Sequence, residues 1–306
     1  MKLSICIPVY NFDVRELVYD LKKEINNNYI DAEILLIDDA STPYYKLLNK
    51  ELEGEVKSFV FLEENIGRSQ IRNRFINYSI GDYLLFLDCD GKIINPDFLK
   101  NYINFLENDK AAKVVYGGRK VSDIQLDASH LLRWKFSKER ENILLKKRLL
   151  KPYLSFQTNN FMVEKSIFEK VNFNPEFQKY GYEDLLLAMD LKTAGISIHH
   201  IDNPIFNNDI ETNEVYLKKV EESVESLYMM LTDDKIAPKI KDIKLVKAYY
   251  YLTNSYGVEW FRKLFVARKD ATKTKLLRGN CSLRYLDFYK LGFLTEKIKQ
   301  KNLTSL

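Results

Sequence analysis

Cysteine is scarce in this 306-residue chain: there are three, Cys6, Cys89 and Cys281, widely separated. Too few and too scattered, they exclude a disulfide-stapled scaffold and a cysteine-based zinc cluster, and they suit a reducing compartment. Apolar runs are short as well, none approaching the roughly 18 residues a helical membrane span requires. The opening Leu3-Ser4-Ile5-Cys6-Ile7-Pro8-Val9 is too brief, and too soon broken by proline, to read as a signal peptide. The expectation is therefore a cytoplasmic protein, soluble or peripheral at the inner face of the cell membrane. No Gly-rich phosphate loop follows that first apolar run, which leaves a nucleotidyltransferase without support. Internal repeats, low-complexity tracts and nucleic-acid recognition motifs are also missing, so no nucleic-acid partner is expected.

What the chain does have is a run of bulky apolar residues, Tyr83-Leu84-Leu85-Phe86-Leu87, that ends abruptly in Asp88-Cys89-Asp90-Gly91. The run is too short for a lone helix and reads as a buried strand. Continued strand alternation points Asp88 and Asp90 to one side and Cys89 to the other, and Gly91 lets the backbone turn away. Two hard oxygen donors at the carboxyl edge of an open α/β sheet suit Mg²⁺ or Mn²⁺ holding a diphosphate. A solvated turn after a core strand is the plainer alternative, so the surroundings decide.

Strand signals at 3–9, 32–37, 59–62 and 83–87 alternate with helical ones at 14–26 and after Gly67. That alternation predicts a mostly parallel sheet flanked by helices, with ligand groups gathered at the strand ends. Further strands are expected at 113–118, 158–163 and 196–201, and helices at 165–171 and 185–194. Between 122 and 157 the pattern breaks down, and a long irregular insertion in a compact domain is more often functional than accidental. The stripe Leu217, Val220, Val224, Leu227 and Leu231 predicts a helix packed on the body. Asp233-Asp234 marks the expected boundary between a domain over 1–232 and a helical extension over 233–306.

Five groups stand in order along the first 230 or so residues: Pro8-Val9-Tyr10-Asn11, Asp38-Asp39-Ala40-Ser41, Asn65-Ile66-Gly67 with Arg72-Asn73, Asp88-Cys89-Asp90, and Glu183-Asp184. Together they resemble the family 2 glycosyltransferases, inverting enzymes with the GT-A fold. The resemblance implies that Pro8, Tyr10, Asn11, Asp38 and Asp39 hold the nucleotide, joined by Asn65, Gly67 and Arg72 near the base and by Asp88 at the ribose or metal. A carboxylate at Asp39 can accept the N–H of a uracil, although helix capping explains an acid there equally well. The resemblance further implies that Asp88 and Asp90 bind Mn²⁺ or Mg²⁺, that Asp184 is the general base and that Glu183 positions it. Acids favour helix starts for dipole reasons alone, and Gly181 just before the pair tips the reading toward catalysis. One departure matters: after Asn203-Pro204, where relatives commonly carry a metal-binding histidine, this chain has Asn207. Asn207 ligates more weakly through its amide oxygen, or His200 or water takes the position, or the metal is held less tightly. Arg68 and Arg74 read as ordinary exposed helix arginines.

The resemblance implies transfer of a sugar from a nucleotide-diphosphate sugar, a UDP-sugar first, to a glycan or lipid-linked acceptor in surface polysaccharide synthesis. A degenerate relative that binds nucleotide or glycan without turnover is the alternative. Charge adds a further expectation. From 235 to 306 there are 17 Lys and Arg against 5 Asp and Glu, a balance of +12, which leaves −8 for residues 1–234 of a chain with net charge +4. A basic, aromatic-rich extension on an acidic body suits a structural cap or an anionic membrane surface.

Overall fold

In a computed structural model, residues 1–177, 180–207, 209–279 and 282–304 are described; Cys281 lies outside them. The chain forms two compact units, one of 1–122, 142–178 and 183–209, the other of 123–141, 179–182 and 210–306.

In chain order the elements are β1 (Leu3–Val9), α1 (Arg15–Asn28), β2 (Ala32–Asp38), α2 (Pro43–Asn49), β3 (Ser58–Phe61), α3 (Gly67–Arg74), β4 (Tyr83–Leu87), β5 (Gly91–Lys92) and α4 (Phe98–Asn108). There follow β6 (Val114–Tyr116), β7 (Arg119–Lys120), α5 (Leu131–Phe136), α6 (Leu145–Arg148), β8 (Asn160–Glu164), α7 (Lys165–Phe168), α8 (Glu183–Thr193), β9 (Ile198–His200) and β10 (Ile205–Asn207). The last are α9 (Asn213–Leu231), α10 (Lys244–Asn254), α11 (Val258–Leu277) and α12 (Leu283–Thr304).

The first unit is built on a sheet of order β3-β2-β1-β4-β8-β6-β9, beside a small sheet β5-β10-β7. β3, β2, β1 and β4 run parallel, whereas β8 is antiparallel to both its neighbours. Strand alternation sorts the core into two layers. Ile5, Ile7, Leu36, Leu85 and Leu87 face one way onto Val18, Leu21 and Tyr102, while Cys6, Leu35, Ile37, Leu84 and Phe86 face the other onto Phe75, Phe161 and Phe168. The register sets Val9 beside Asp38 and Asp38 beside Phe61, so the parallel strands end together at one edge.

The second unit has its own apolar cluster, in which Leu132 of α5 joins Tyr216, Leu217 and Val220 of α9, Phe265 and Leu276 of α11, and Leu286 and Tyr289 of α12. The apolar stripe of α9 is thus shared with the C-terminal helices, and the compact units divide after 209 rather than at the expected 232/233. The helical extension is broken at Ser255, Tyr256 and Gly257, between α10 and α11, with Tyr256 at φ 56°. The irregular stretch 122–157 carries short helices instead of sheet.

Candidate functional site

The loops after β1 and β2 are laced to each other. The Asn11 backbone N–H donates to Ser41 Oγ at 2.8 Å, the Thr42 N–H donates to Asn11 Oδ1 at 2.8 Å, and the Ser41 N–H donates to Asp38 Oδ1 at 2.8 Å. Asn11 at φ 49° and Ala40 at φ 59° occupy the left-handed region that such tight crossings demand. Asp38 is fully buried, and its Oδ2 has no hydrogen-bond partner among the described residues. Tyr10, by contrast, is exposed, and its backbone N–H points at the Cys89 thiol. Pro8 sits in β1 beside Ile37.

Asp39 caps α3. Its Oδ1 accepts the Ile66 N–H at 2.8 Å, its Oδ2 accepts the Gly67 N–H at 3.1 Å, and Asn65 Nδ2 donates to its carbonyl at 3.1 Å. Two first-turn amides thereby find an acceptor and the negative charge meets the positive helix end. Gly67 has φ 80°, a conformation that L side chains resist, which explains glycine at that turn. Burial raises the Asp39 carboxyl above the usual range against these two bonds. Each carboxylate oxygen keeps a second lone pair, so the cap does not consume the group.

β4 ends at Leu87, and Asp88 to Gly91 form a tight turn closed by the Gly91 N–H on the Asp88 carbonyl at 3.0 Å. The alternation expected for Asp88 and Asp90 therefore does not apply, because these residues are past the strand. Nor does Gly91 need a left-handed backbone; a Cβ there would lie 2.3 Å from Ile205 Cδ1, so a side chain at this position would have to displace Ile205 of β10. Arg72 holds Asp88: Nη2 donates to Oδ1 at 2.5 Å while Nη1 donates to the Arg68 carbonyl at 3.0 Å. The Arg72 side chain is only 3% exposed and lies over the Phe173 ring.

Asn207 Nδ2 donates to Asp90 Oδ2 at 2.5 Å, and Arg119 Nη2 donates to Asn207 Oδ1 at 2.6 Å. The two partners fix the amide orientation and turn its N–H₂ side toward Asp90. The expected role of Asn207 as a metal ligand does not fit this arrangement, since its oxygen is committed to a guanidinium. His200 does not fit either. Its Nδ1 faces Arg148 Nη1 at 3.2 Å and its Nε2 faces the Pro152 carbonyl at 3.0 Å, and burial beside that guanidinium holds its pKa down at about 4.

Glu183 and Asp184 open α8, where Asp184 Oδ1 accepts the Leu185 N–H at 2.7 Å. Arg68, at the start of α3, lies between the two acidic places, with Nη2 3.8 Å from Asp88 Oδ2 and Nη1 3.5 Å from Glu183 Oε1. Asp88 and Glu183 are thus joined across one guanidinium.

The donor set fits a hard divalent cation. Burial, and then the charge of Asp88, push the Asp90 carboxyl above its ordinary range, a cost that a cation between the two acids would relieve. Among the described residues no cluster of three or more His, Cys, Asp or Glu is assembled. Two carboxylates are nonetheless what Mg²⁺-type ions commonly take from a protein, with phosphates and water completing the shell. Cys89 contributes no thiolate, since burial pushes its pKa up to about 12.

The sequence pattern of the family described as Glycosyl transferase family 2 matches residues 4–171, which is more than half of the chain. The chain belongs to that family. Its sheet and flanking helices are those of a GT-A glycosyltransferase. A glycosyltransferase of Haemophilus influenzae is 36% identical over 107 residues, 34% of this chain and 42% of that one, so the match spans less than half of the relative. The amylovoran biosynthesis glycosyltransferase AmsB of Erwinia amylovora is 23% identical over 259 residues, covering 81% and 83%. Among solved structures, the mannosyltransferase PcManGT of Pyrobaculum calidifontis in complex with GDP-Man and Mn²⁺ superposes with TM-score 0.57 at 16% identity, covering 99% and 87%. S. aureus TarS 1-349 in complex with UDP-GlcNAc does so with TM-score 0.53 at 16% identity, covering 98% and 92%.

Two residues of this family 2 chain were invisible to sequence reasoning. Arg68 reads as a solvated helix arginine, and its one signal is its place immediately after Gly67. Arg119 lies in a two-residue strand beside β10, and no periodicity marks so short a segment.

Proposed function

We propose that this protein is an inverting glycosyltransferase that moves a sugar from a nucleotide-diphosphate sugar, a UDP-sugar first, to a hydroxyl of a glycan or lipid-linked acceptor in surface glycan synthesis. The observation that carries the reading is the meeting of Asp88 and Glu183 across Arg68, which brings a strand-end acid and a helix-start acid to one place. In this reading Pro8, Tyr10, Asn11, Asp38, Asp39, Asn65, Gly67 and Arg72 form the nucleotide side of the site. Asp88 and Asp90 hold Mn²⁺ or Mg²⁺, which supplies Lewis-acid neutralisation of the leaving diphosphate. Asp184 accepts the proton of the acceptor hydroxyl as that oxygen attacks the anomeric carbon from the face opposite the diphosphate, and Glu183 keeps Asp184 oriented. The relative named for amylovoran biosynthesis and the TarS complex with UDP-GlcNAc support the surface-glycan and UDP-sugar choices.

A second reading, nucleotide or glycan binding without turnover, draws on Asn207, whose bonds to Asp90 and Arg119 occupy one of the two acids. Incubation with UDP-sugars and GDP-mannose in Mn²⁺, with simple alkyl glycosides supplied as acceptors, separates the two. Release of nucleoside diphosphate, with NMR of the glycoside formed showing inverted anomeric configuration, is the expected result. Retained configuration would sink the mechanism, and tight donor binding with no release would favour the second reading. The basic, exposed helices of the second unit support peripheral attachment to an anionic membrane, where a lipid-linked acceptor resides.

A further inference from the structure

Three guanidinium groups surround the Asp88–Asp90 turn, and they are held very differently. Arg72 is buried, with a 2.5 Å bond to Asp88, and Arg119 is committed to Asn207 at 2.6 Å. Arg68 is 45% exposed, and its ion pairs with Asp88 and Glu183, at 3.8 and 3.5 Å, are both longer than a hydrogen bond. At that exposure water screens most of the value of these two ion pairs. A diphosphate offers what the two carboxylates do not: adjacent oxygens, doubly charged, in the geometry that a fork accepts bidentately. Arg68 also stands in the first turn of α3, beside the Gly67 turn that Asp39 caps.

We propose that Arg68 is a diphosphate ligand of the donor site, leaving Asp88 and Glu183 when donor binds and closing its fork on the phosphate oxygens. The proposal rests on the nucleotide-sugar reading above. It carries two consequences. Part of the affinity for a nucleoside diphosphate belongs to the protein alone and survives chelation of divalent metal. Glu183 is released from its arginine only when donor is in place, which makes donor binding precede use of the acids of α8.

The test is calorimetric titration of wild type, Arg68→Ala and Arg68→Lys with UDP, UMP, GDP and GMP, in EDTA and in Mn²⁺. Wild type is expected to prefer the diphosphate over the monophosphate in EDTA. Arg68→Ala should lower that preference roughly 10- to 100-fold, the range of a lost charge-assisted pair, with monophosphate affinity and melting temperature near wild type. Arg68→Lys, which keeps charge without the fork, should fall between. An unchanged preference in Arg68→Ala, or an equal loss for mono- and diphosphate, overturns the assignment while leaving the donor reading intact. Failure of wild type to bind any of the four nucleotides in either condition overturns the donor reading and the Arg68 assignment with it.

Discussion

At the scale of single residues, the acids divide into those that hold structure and those poised for chemistry. Asp184 Oδ1 accepts the N–H of Leu185 at its own helix start, and Asp184→Asn exchanges a proton acceptor for an amide of almost the same size and shape. Donor binding should stay near wild type while transfer falls by roughly 10²–10⁴-fold, the usual worth of a general base. Undiminished transfer in that variant would move the base elsewhere. Asp90→Ala removes a raised-pKa carboxylate at a turn rather than core volume. Mn²⁺-dependent tightening of UDP should vanish, with the melting temperature near wild type because Asp90 is half-buried at a turn and fills no core. UDP affinity that responds to Mn²⁺ as in wild type would disprove the metal assignment. The Asp-Cys-Asp-Gly signature was legible because hydrophobicity stops so sharply after Leu87. The bond between Asn207 and Asp90 was not, since it joins positions 117 residues apart through a small sheet with no sequence pattern.

At the scale of elements, β1, β2, β4 and α1 were legible to within a residue or two because each carries strong periodicity into a large core. β5, β7 and β10 were not, being two or three residues long and defined only by one another. Asp39 shows why local reasoning stalls at such places: the cap and a nucleotide contact call for the same acid, and the α3 cap is what the fold itself requires. Arg148 makes the stretch 122–157 more than an insertion. From α6 its guanidinium donates to the carbonyls of Tyr116, Gly117 and Ile201 and faces His200 Nδ1, tying β6 to β9 from behind. His200 must therefore stay neutral, accepting from Arg148 and donating to Pro152. Its folded pKa of about 4 lies below the ordinary 6.5, so the unfolded chain takes up a proton that the folded chain refuses. Stability is then full above about pH 6.5 and declines as pH falls toward 4, by on the order of 2–3 kcal/mol at most. Melting curves of wild type and His200→Gln between pH 7 and 4 provide the check, since the carboxylates that titrate in this window are common to both. The variant should lose part of the decline, and parallel curves would mean that His200 does not set it.

At the scale of the whole molecule, the imbalance of charge along the chain becomes a property of the second unit. Some of its aromatics pack inside the unit itself: Phe265 is fully buried among Leu276, Leu286 and Tyr289. Other aromatics point to solvent around the break between α10 and α11, where Tyr251 is 74%, Tyr256 93% and Trp260 70% exposed. Residues 235–263 around them carry 7 Lys and Arg against 2 Asp and Glu. Exposed Tyr and Trp in a lysine-rich stretch suit a lipid interface, where aromatic rings settle among head groups and each basic residue near an anionic leaflet adds roughly 1 kcal/mol. No helix among the described residues is long and apolar enough to cross a membrane. The protein should therefore cosediment with phosphatidylglycerol-containing vesicles at low salt, fail to do so with neutral phosphatidylcholine vesicles, and be released as ionic strength rises and the charges are screened. Replacing Tyr256 and Trp260 by alanine should weaken binding at low salt without changing the melting temperature, because neither side chain is packed in the apolar cluster. Equal recovery on both vesicle types, or binding indifferent to salt, would reduce the unit to a structural cap; salt-sensitive binding that ignores the aromatic pair would leave the charge alone as the docking force.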